Sequence, residues 1–97
     1  MAKTTYTRTL FIKNLQEAEV VIYSFEKTKY EINDTYTETR YKGLTSWDII
    51  EGGKEAEEIE KDLAPEQIDE NHEYLVLHFN TLETATYRNS HVEMFIK

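Results

Sequence analysis

The densest group of residues that could do chemistry is a run of carboxylates between Asp48 and Glu73. This segment holds eleven acidic side chains against two lysines, a net charge of −9, whereas the rest of the 97-residue chain carries eight acids and nine bases. Such a block repels phosphate backbones and attracts basic surfaces, although it also suits a solvated helix face that keeps a small protein soluble. On a continuous helix, one side would offer four carboxylates to a protein partner with a basic surface: Glu51, Glu55, Glu58 and Asp62. A break at Gly52 and Gly53 would instead separate Glu51 from the other three.

A second candidate is the hexamer Leu-Phe-Ile-Lys-Asn-Leu at residues 10–15. It resembles the RNP2 strand of RNA-recognition motifs, in which an aromatic side chain stacks on a base, and it places Phe11 at the stacking position with Tyr6 nearby. The longer RNP1 pattern is absent, and the acidic segment opposes a phosphate ligand. Single-stranded nucleic-acid binding is therefore the alternative function, and an ordinary core strand entering a turn explains the same six residues.

A third candidate is the polar and aromatic segment before the end of the chain, which contains Tyr87, Arg88, Asn89 and His91. These residue types suit hydrogen-bonding recognition in a loop. The same segment also suits a hairpin or bulge whose side chains satisfy nearby backbone groups.

The remaining reactive side chains form no catalytic or metal-binding pattern. Cysteine is absent, and the three serines lack a nucleophile-elbow context. Ser90 and His91 are neighbours that would point to opposite faces of a strand. His72 and His78 would share a strand face at a separation of roughly 20 Å, too far to share one ion. We expect no enzymatic activity, no bound metal and no cofactor.

The strand that organises the chain is predicted at Glu73–Phe79, the most concentrated apolar run. Strand alternation gives it one fully apolar face and one mixed face, and we expect helices to cover the apolar face. The apolar face consists of Leu75, Leu77 and Phe79, and the mixed face of Tyr74, Val76 and His78.

The other elements follow from local patterns. Strands are predicted at residues 5–13, 18–25, 35–41 and 92–96, with β-branched and aromatic residues favouring strand over helix in the second of these. Thr45 and Asp48 fit a helix start, residues 54–63 carry the clearest helical pattern, and Pro65 begins a short helical turn.

Together these elements predict one α+β domain spanning residues 1–97. Its order is β-β-β-α-α-β-β, with an antiparallel sheet of about five strands and helices on one face. No apolar run is long enough for a signal peptide or a membrane span, so we expect a cytoplasmic protein without membrane contact. An exposed last strand would also allow pairing with a second copy of the chain.

Two stretches carry a resemblance to known proteins, Tyr-Leu-Val-Leu-His-Phe at residues 74–79 and Ala-Thr-Tyr-Arg-Asn-Ser-His-Val-Glu-Met-Phe-Ile at residues 85–96. They resemble small uncharacterised accessory proteins of conjugative transposons and phages of Gram-positive bacteria. The resemblance implies a bacterial protein from a mobile element and transfers no site residue. Some small acidic proteins of such elements inhibit host enzymes by mimicking nucleic acid, which is compatible with the acidic segment.

Overall fold

The computed structural model describes residues 16–28 and 35–97 of the chain. These residues form six strands, one α-helix and two 3-10 turns. In chain order they are β1 (Val20–Phe25), β2 (Tyr36–Tyr41), β3 (Leu44–Glu51), α1 (Gly53–Glu60), a 3-10 turn (Pro65–Gln67), β4 (Glu73–Phe79), β5 (Thr84–Arg88), a second 3-10 turn (Asn89–His91) and β6 (Val92–Ile96).

The strands divide between two antiparallel sheets, with the orders β2-β1-β6 and β3-β4-β5. The predicted α+β class and antiparallel pairing are confirmed, but the prediction of one five-stranded sheet is wrong. The predicted strand at residues 5–13 lies outside the described residues. Within the described part of the chain, β6 lies at a sheet edge, and its pairing with a second copy stays a prediction.

The main core lies between the two sheets. Leu75 and Leu77 of β4 are fully buried there, because alternate residues of a strand share one face. They meet inward-facing residues of β1 and β6, so the larger apolar face of β4 is covered by a second sheet. The buried members of this core are Ala18, Val20, Ile22, Leu44, Leu75, Leu77, Val92, Met94 and Ile96.

Helix α1 covers the opposite face of sheet β3-β4-β5. Its buried residue Ala56 packs against Tyr74 and Val76 of β4, with Ile59 and Leu63 at the border of this smaller cluster. The prediction that helices cover the apolar face of β4 is therefore wrong. A helix of eight residues offers a narrow stripe, which suits the mixed face, while a sheet can cover the wider apolar face.

The predicted helix start at Thr45 and Asp48 is also wrong, because residues 44–51 form strand β3. Trp47 pairs with Leu77 in the β3–β4 register, and Ile49 pairs with Leu75. Strand alternation thus turns both side chains toward the main core, whereas a helix would have aligned Trp47 with Ile50. Tertiary pairing with β4 prevails over the local capping signal.

The chain passes between the sheets at two short corners. Gly43, between β2 and β3, has φ +82°, and a Cβ there would meet the Asn80 side chain at 2.9 Å. The second corner is the 3-10 turn Asn89–His91, which joins β5 to β6. Strand β5 itself was not predicted, because Thr-Ala-Thr-Tyr-Arg is short and only two of its five residues are apolar.

Candidate functional site

The acidic surface is built on the outer side of α1. Glu55 and Glu58 are exposed on the helix, and Asp62 is exposed in the turn that follows it. They point outward because the stripe through Ala56 and Ile59 faces the sheet. All three carboxylates are thus exposed, although Asp62, which was predicted on the helix, lies beyond its end at Glu60.

Glu51 belongs to a different element. It is the last residue of β3, and Gly52 (φ +78°) and Gly53 (φ +73°) separate it from the helix. Both glycines adopt the left-handed conformation that favours glycine, which lets the strand turn directly into the helix. Glu51 is exposed, and of the two predicted alternatives the structure has the break at Gly52 and Gly53, so Glu51 does not lie on the helix.

Most of the acidic segment faces solvent. Eight of its eleven carboxylates are exposed, two are partly buried and Asp69 is buried, while both lysines are exposed. Lys61 contacts Glu58 at 2.8 Å. This exposed ion pair contributes at most a few tenths of a kcal/mol, so the surface keeps a large negative excess.

Glu60, the last residue of α1, anchors the helix through hydrogen bonds to Tyr74 and His72. Its Oε2 accepts a hydrogen bond of 2.6 Å from the Tyr74 hydroxyl and lies 2.6 Å from Nδ1 of His72. The bond from Tyr74, and then that from His72, hold the pKa of Glu60 below its ordinary value. The same carboxylate raises the pKa of His72, while burial and then the bond to Glu60 raise the pKa of Tyr74 to about 12.

Asp69 forms a second anchor. The buried carboxylate accepts hydrogen bonds from the backbone N–H groups of Asn71 (2.9 Å) and Glu73 (3.2 Å) and from the Ser90 hydroxyl (2.8 Å). It thereby joins the segment before β4 to the corner between β5 and β6. The backbone N–H of Asp69 in turn donates to the Tyr74 hydroxyl at 2.9 Å, so the two anchors are linked.

Ser90, His91 and Asp69 lie together, but not in the order of a nucleophilic triad. Ser90 Oγ donates to Asp69 and lies 3.0 Å from His91 Nδ1, while His91 Nδ1 is 4.0 Å from Asp69 Oδ1. Because the serine proton is directed to the carboxylate, histidine is not placed to accept it as a general base. The prediction that Ser90 and His91 point to opposite faces is wrong, since they lie in a 3-10 turn.

The predicted recognition segment is divided between this turn and β5. Tyr87 is partly buried, and its hydroxyl bonds to that of Tyr41, while burial and then this bond raise its pKa. Arg88 ends β5, Asn89 opens the turn, and His91 is buried. Tyr87, Arg88 and His91 line a pocket of about 210 Å³, which Asn89 does not line.

The aromatic residues of sheet β2-β1-β6 form a separate group on its outer face. Tyr23 makes edge-to-face contacts with Tyr36 and Phe95, whose ring centroids lie 5.3 and 5.6 Å away. Phe25 lies next to Tyr36 at 6.0 Å. The alternative nucleic-acid residues Phe11 and Tyr6 lie outside the described residues.

The histidines are paired with different groups. His72 contacts Glu60, and His78 contacts Asp48 at 2.8 Å. The prediction that the two histidines share a strand face is wrong, because His72 lies in the turn before β4 with φ +56°. Among residues 16–28 and 35–97, no three histidine or acidic side chains are arranged to hold a metal ion.

Sequence analysis missed Glu60, Asp69 and Tyr74 as linked residues. Their partners are brought together by packing of α1 and the β5–β6 corner on β4, and no short motif joins them. In the part of the chain that the structure describes, no helix is long and apolar enough to cross a membrane. No protein-family model, curated protein or solved structure matches the chain.

Proposed function

We propose that this protein is a non-enzymatic accessory domain that binds a basic macromolecule, most simply a protein, through its acidic surface. The acidic surface consists of Glu51, Glu55, Glu58 and Asp62. The observation that carries the proposal is the uneven distribution of charge, because residues 48–73 expose eight carboxylates and only two lysines. The described remainder of the chain has no comparable excess of either sign.

The anchors below the helix support this proposal. Glu60 and Asp69 use their charges in hydrogen bonds inside the protein, whereas Glu55, Glu58 and Asp62 are exposed. The buried side of the helix can therefore hold its position while the outer side meets a partner. Exposed charges act mainly on association rate and specificity, and salt screens them over about 8 Å at physiological ionic strength.

The resemblance to accessory proteins of mobile elements suggests the class of protein to which the partner belongs. A cytoplasmic host protein that handles nucleic acid has a basic binding surface, which an acidic domain could occupy as a mimic of the phosphate backbone. In this form of the proposal the domain inhibits its partner, and nucleic acid competes with it.

The test compares two triple variants with the same change in net charge, from −8 to −2. The first carries Glu55→Lys, Glu58→Lys and Asp62→Lys. The matched control carries Glu17→Lys, Glu26→Lys and Glu83→Lys, which are exposed and lie away from the helix. Each is used to capture proteins from nuclease-treated bacterial lysate at low and moderate salt, and a captured protein is purified and titrated.

We expect the wild type and the control to bind the same basic protein, and salt to release it. The acidic-surface variant should bind at least about tenfold more weakly, and its affinity should change less with salt concentration. Equal binding by all three proteins would show that the acidic surface is not the contact and leave it a solubility device.

The alternative function is single-stranded nucleic-acid binding, and the aromatic group of Tyr23, Phe25, Tyr36 and Phe95 favours it. Tyr36 is 54% exposed, and exposed rings on a sheet can stack with bases. This function predicts that short RNA or DNA binds at low salt and that Phe11→Ala or Tyr36→Ala abolishes the binding. A fluorescence-anisotropy titration without any change at low salt would remove this alternative.

A further inference from the structure

The pocket beside Arg88 is a second feature with room for a ligand. It lies between the turn after α1, the end of β1 and the edge strand β5 of the described sheet, and its volume is about 210 Å³. At about 30 Å³ for each water molecule in the liquid, it has room for about seven waters. A small organic molecule fits this space.

Arg88 gives the pocket its charge. It pairs with the fully buried Tyr74 in the β4–β5 register, so its side chain starts on the helix-covered face, and it is partly buried. Within the described residues, no carboxylate lies within ion-pair distance of its guanidinium. A guanidinium is stabilised by an anion, and its planar donors fit both oxygens of a carboxylate.

Further donors lie on the same pocket wall. The Gln67 Oε1 accepts a hydrogen bond of 3.0 Å from the backbone N–H of Ala64, which turns the amide NH₂ group away from that bond. Ser24 and Thr86 add hydroxyl groups to the lining. Charge and donors together therefore favour an acceptor with negative charge.

The apolar residues of the lining determine which type of ligand fits the pocket. Phe25 and Leu63 are the partly exposed aliphatic and phenyl residues of the lining, and they favour an apolar or aromatic group over a hydrated inorganic ion. Glu66 is the one carboxylate among the described lining residues; it is exposed and opposes an anion from the rim.

We propose that this pocket binds a small organic carboxylate, with its oxygens on Arg88 and its apolar body against Phe25 and Leu63. The site is separate from the acidic surface, and the proposal goes beyond the protein-binding function and does not depend on it. It gives the predicted recognition residue Arg88 a chemical role.

The test uses benzoate as the probe and benzyl alcohol as its neutral counterpart of similar size. Each is titrated into the full-length ¹⁵N-labelled protein while amide chemical shifts are recorded. We expect benzoate to shift the amides of Gln67, Thr86 and Arg88, and benzyl alcohol to bind at least about tenfold more weakly, equivalent to about 1.4 kcal/mol.

Three variants sharpen the result. Arg88→Gln should weaken benzoate binding at least about tenfold, whereas Arg40→Gln, which removes an exposed arginine from β2, should leave it unchanged. Glu66→Gln should tighten binding, because it removes the opposing rim charge.

Equal binding of benzoate and benzyl alcohol, or benzoate binding that survives Arg88→Gln, would overturn the proposal. Inorganic phosphate binding as tightly as benzoate would overturn the role of the apolar body. If Arg88→Gln does not fold, the comparison of the two probes on the wild type and on Glu66→Gln still decides the matter.

Discussion

The two faces of sheet β3-β4-β5 are stabilised in different ways. The inner face shares a core of nine buried apolar residues with the second sheet. The helix-covered face has three such residues, of which Tyr74 also carries a hydroxyl in the hydrogen-bond network. The stability of the inner face therefore depends on buried apolar area, and that of the helix-covered face depends on a few hydrogen bonds.

This difference matters for function because the acidic surface lies on the less apolar side. A short helix with one buried residue gains little from burial alone. The bonds from Tyr74 and His72 to Glu60 fix its last turn, and those of Asp69 fix the segment that follows. The position of the exposed acids thus depends on Glu60, Tyr74 and Asp69, which are buried or partly buried.

The largest expected effect comes from breaking the inner face. Leu77→Ala should lower the free energy of unfolding by about 2–5 kcal/mol, because Leu77 is fully buried between the sheets and its loss leaves a cavity. Leu63→Ala, at the partly exposed border of the helix cluster, should cost roughly 1 kcal/mol. Urea unfolding of both variants measures the difference, and equal losses would contradict the comparison.

A smaller effect is expected from removing one hydroxyl on the helix-covered face. Tyr74→Phe keeps the ring but removes the donor to Glu60 and the acceptor for the Asp69 N–H, which should cost roughly 1–3 kcal/mol. Hydrogen exchange should report faster opening of α1 than of β1. Tyr23→Phe, on the outer face of the other sheet, is the control. An equally large loss of unfolding free energy in that variant would contradict the stabilising role of the Tyr74 hydroxyl.

The smallest effect is a pH dependence. The raised pKa of His72 contributes stability that is present below its ordinary value of 6.5 and is lost as the pH rises through the folded value above 6.5. The lowered pKa of Glu60 contributes stability that is present above its ordinary value of 4.5 and is lost as the pH falls through the folded value. The pair therefore stabilises most between pH 4.5 and 6.5.

His72→Asn tests this dependence. His72 has φ +56°, a conformation that asparagine tolerates well, so the variant removes the titrating group at little backbone cost. Urea midpoints between pH 4 and pH 8 should decline less on the alkaline side in the variant than in the wild type. Parallel profiles for the two proteins would show that His72 is not coupled to folding.

Strong periodic segments were predictable, and segments with conflicting signals were not. A concentrated apolar run identified β4, and helical spacing identified α1 close to its observed bounds. At β3, a capping pattern at Thr45 competed with alternation of Trp47 and Ile49, and pairing with β4 decided between them. The exposed acids followed from spacing, whereas Glu60, Asp69 and Ser90 come from distant parts of the chain.

The sequence by itself determined the acidic segment, the central strand and the outward side of the helix, because charge and periodicity are local properties. Only the tertiary structure decided that two sheets enclose the apolar face of β4 and that the helix lies on the other face. It also decided which carboxylates are bonded inside and which remain exposed. The physical reason is that such pairings depend on which surfaces meet, and residues far apart in sequence supply them.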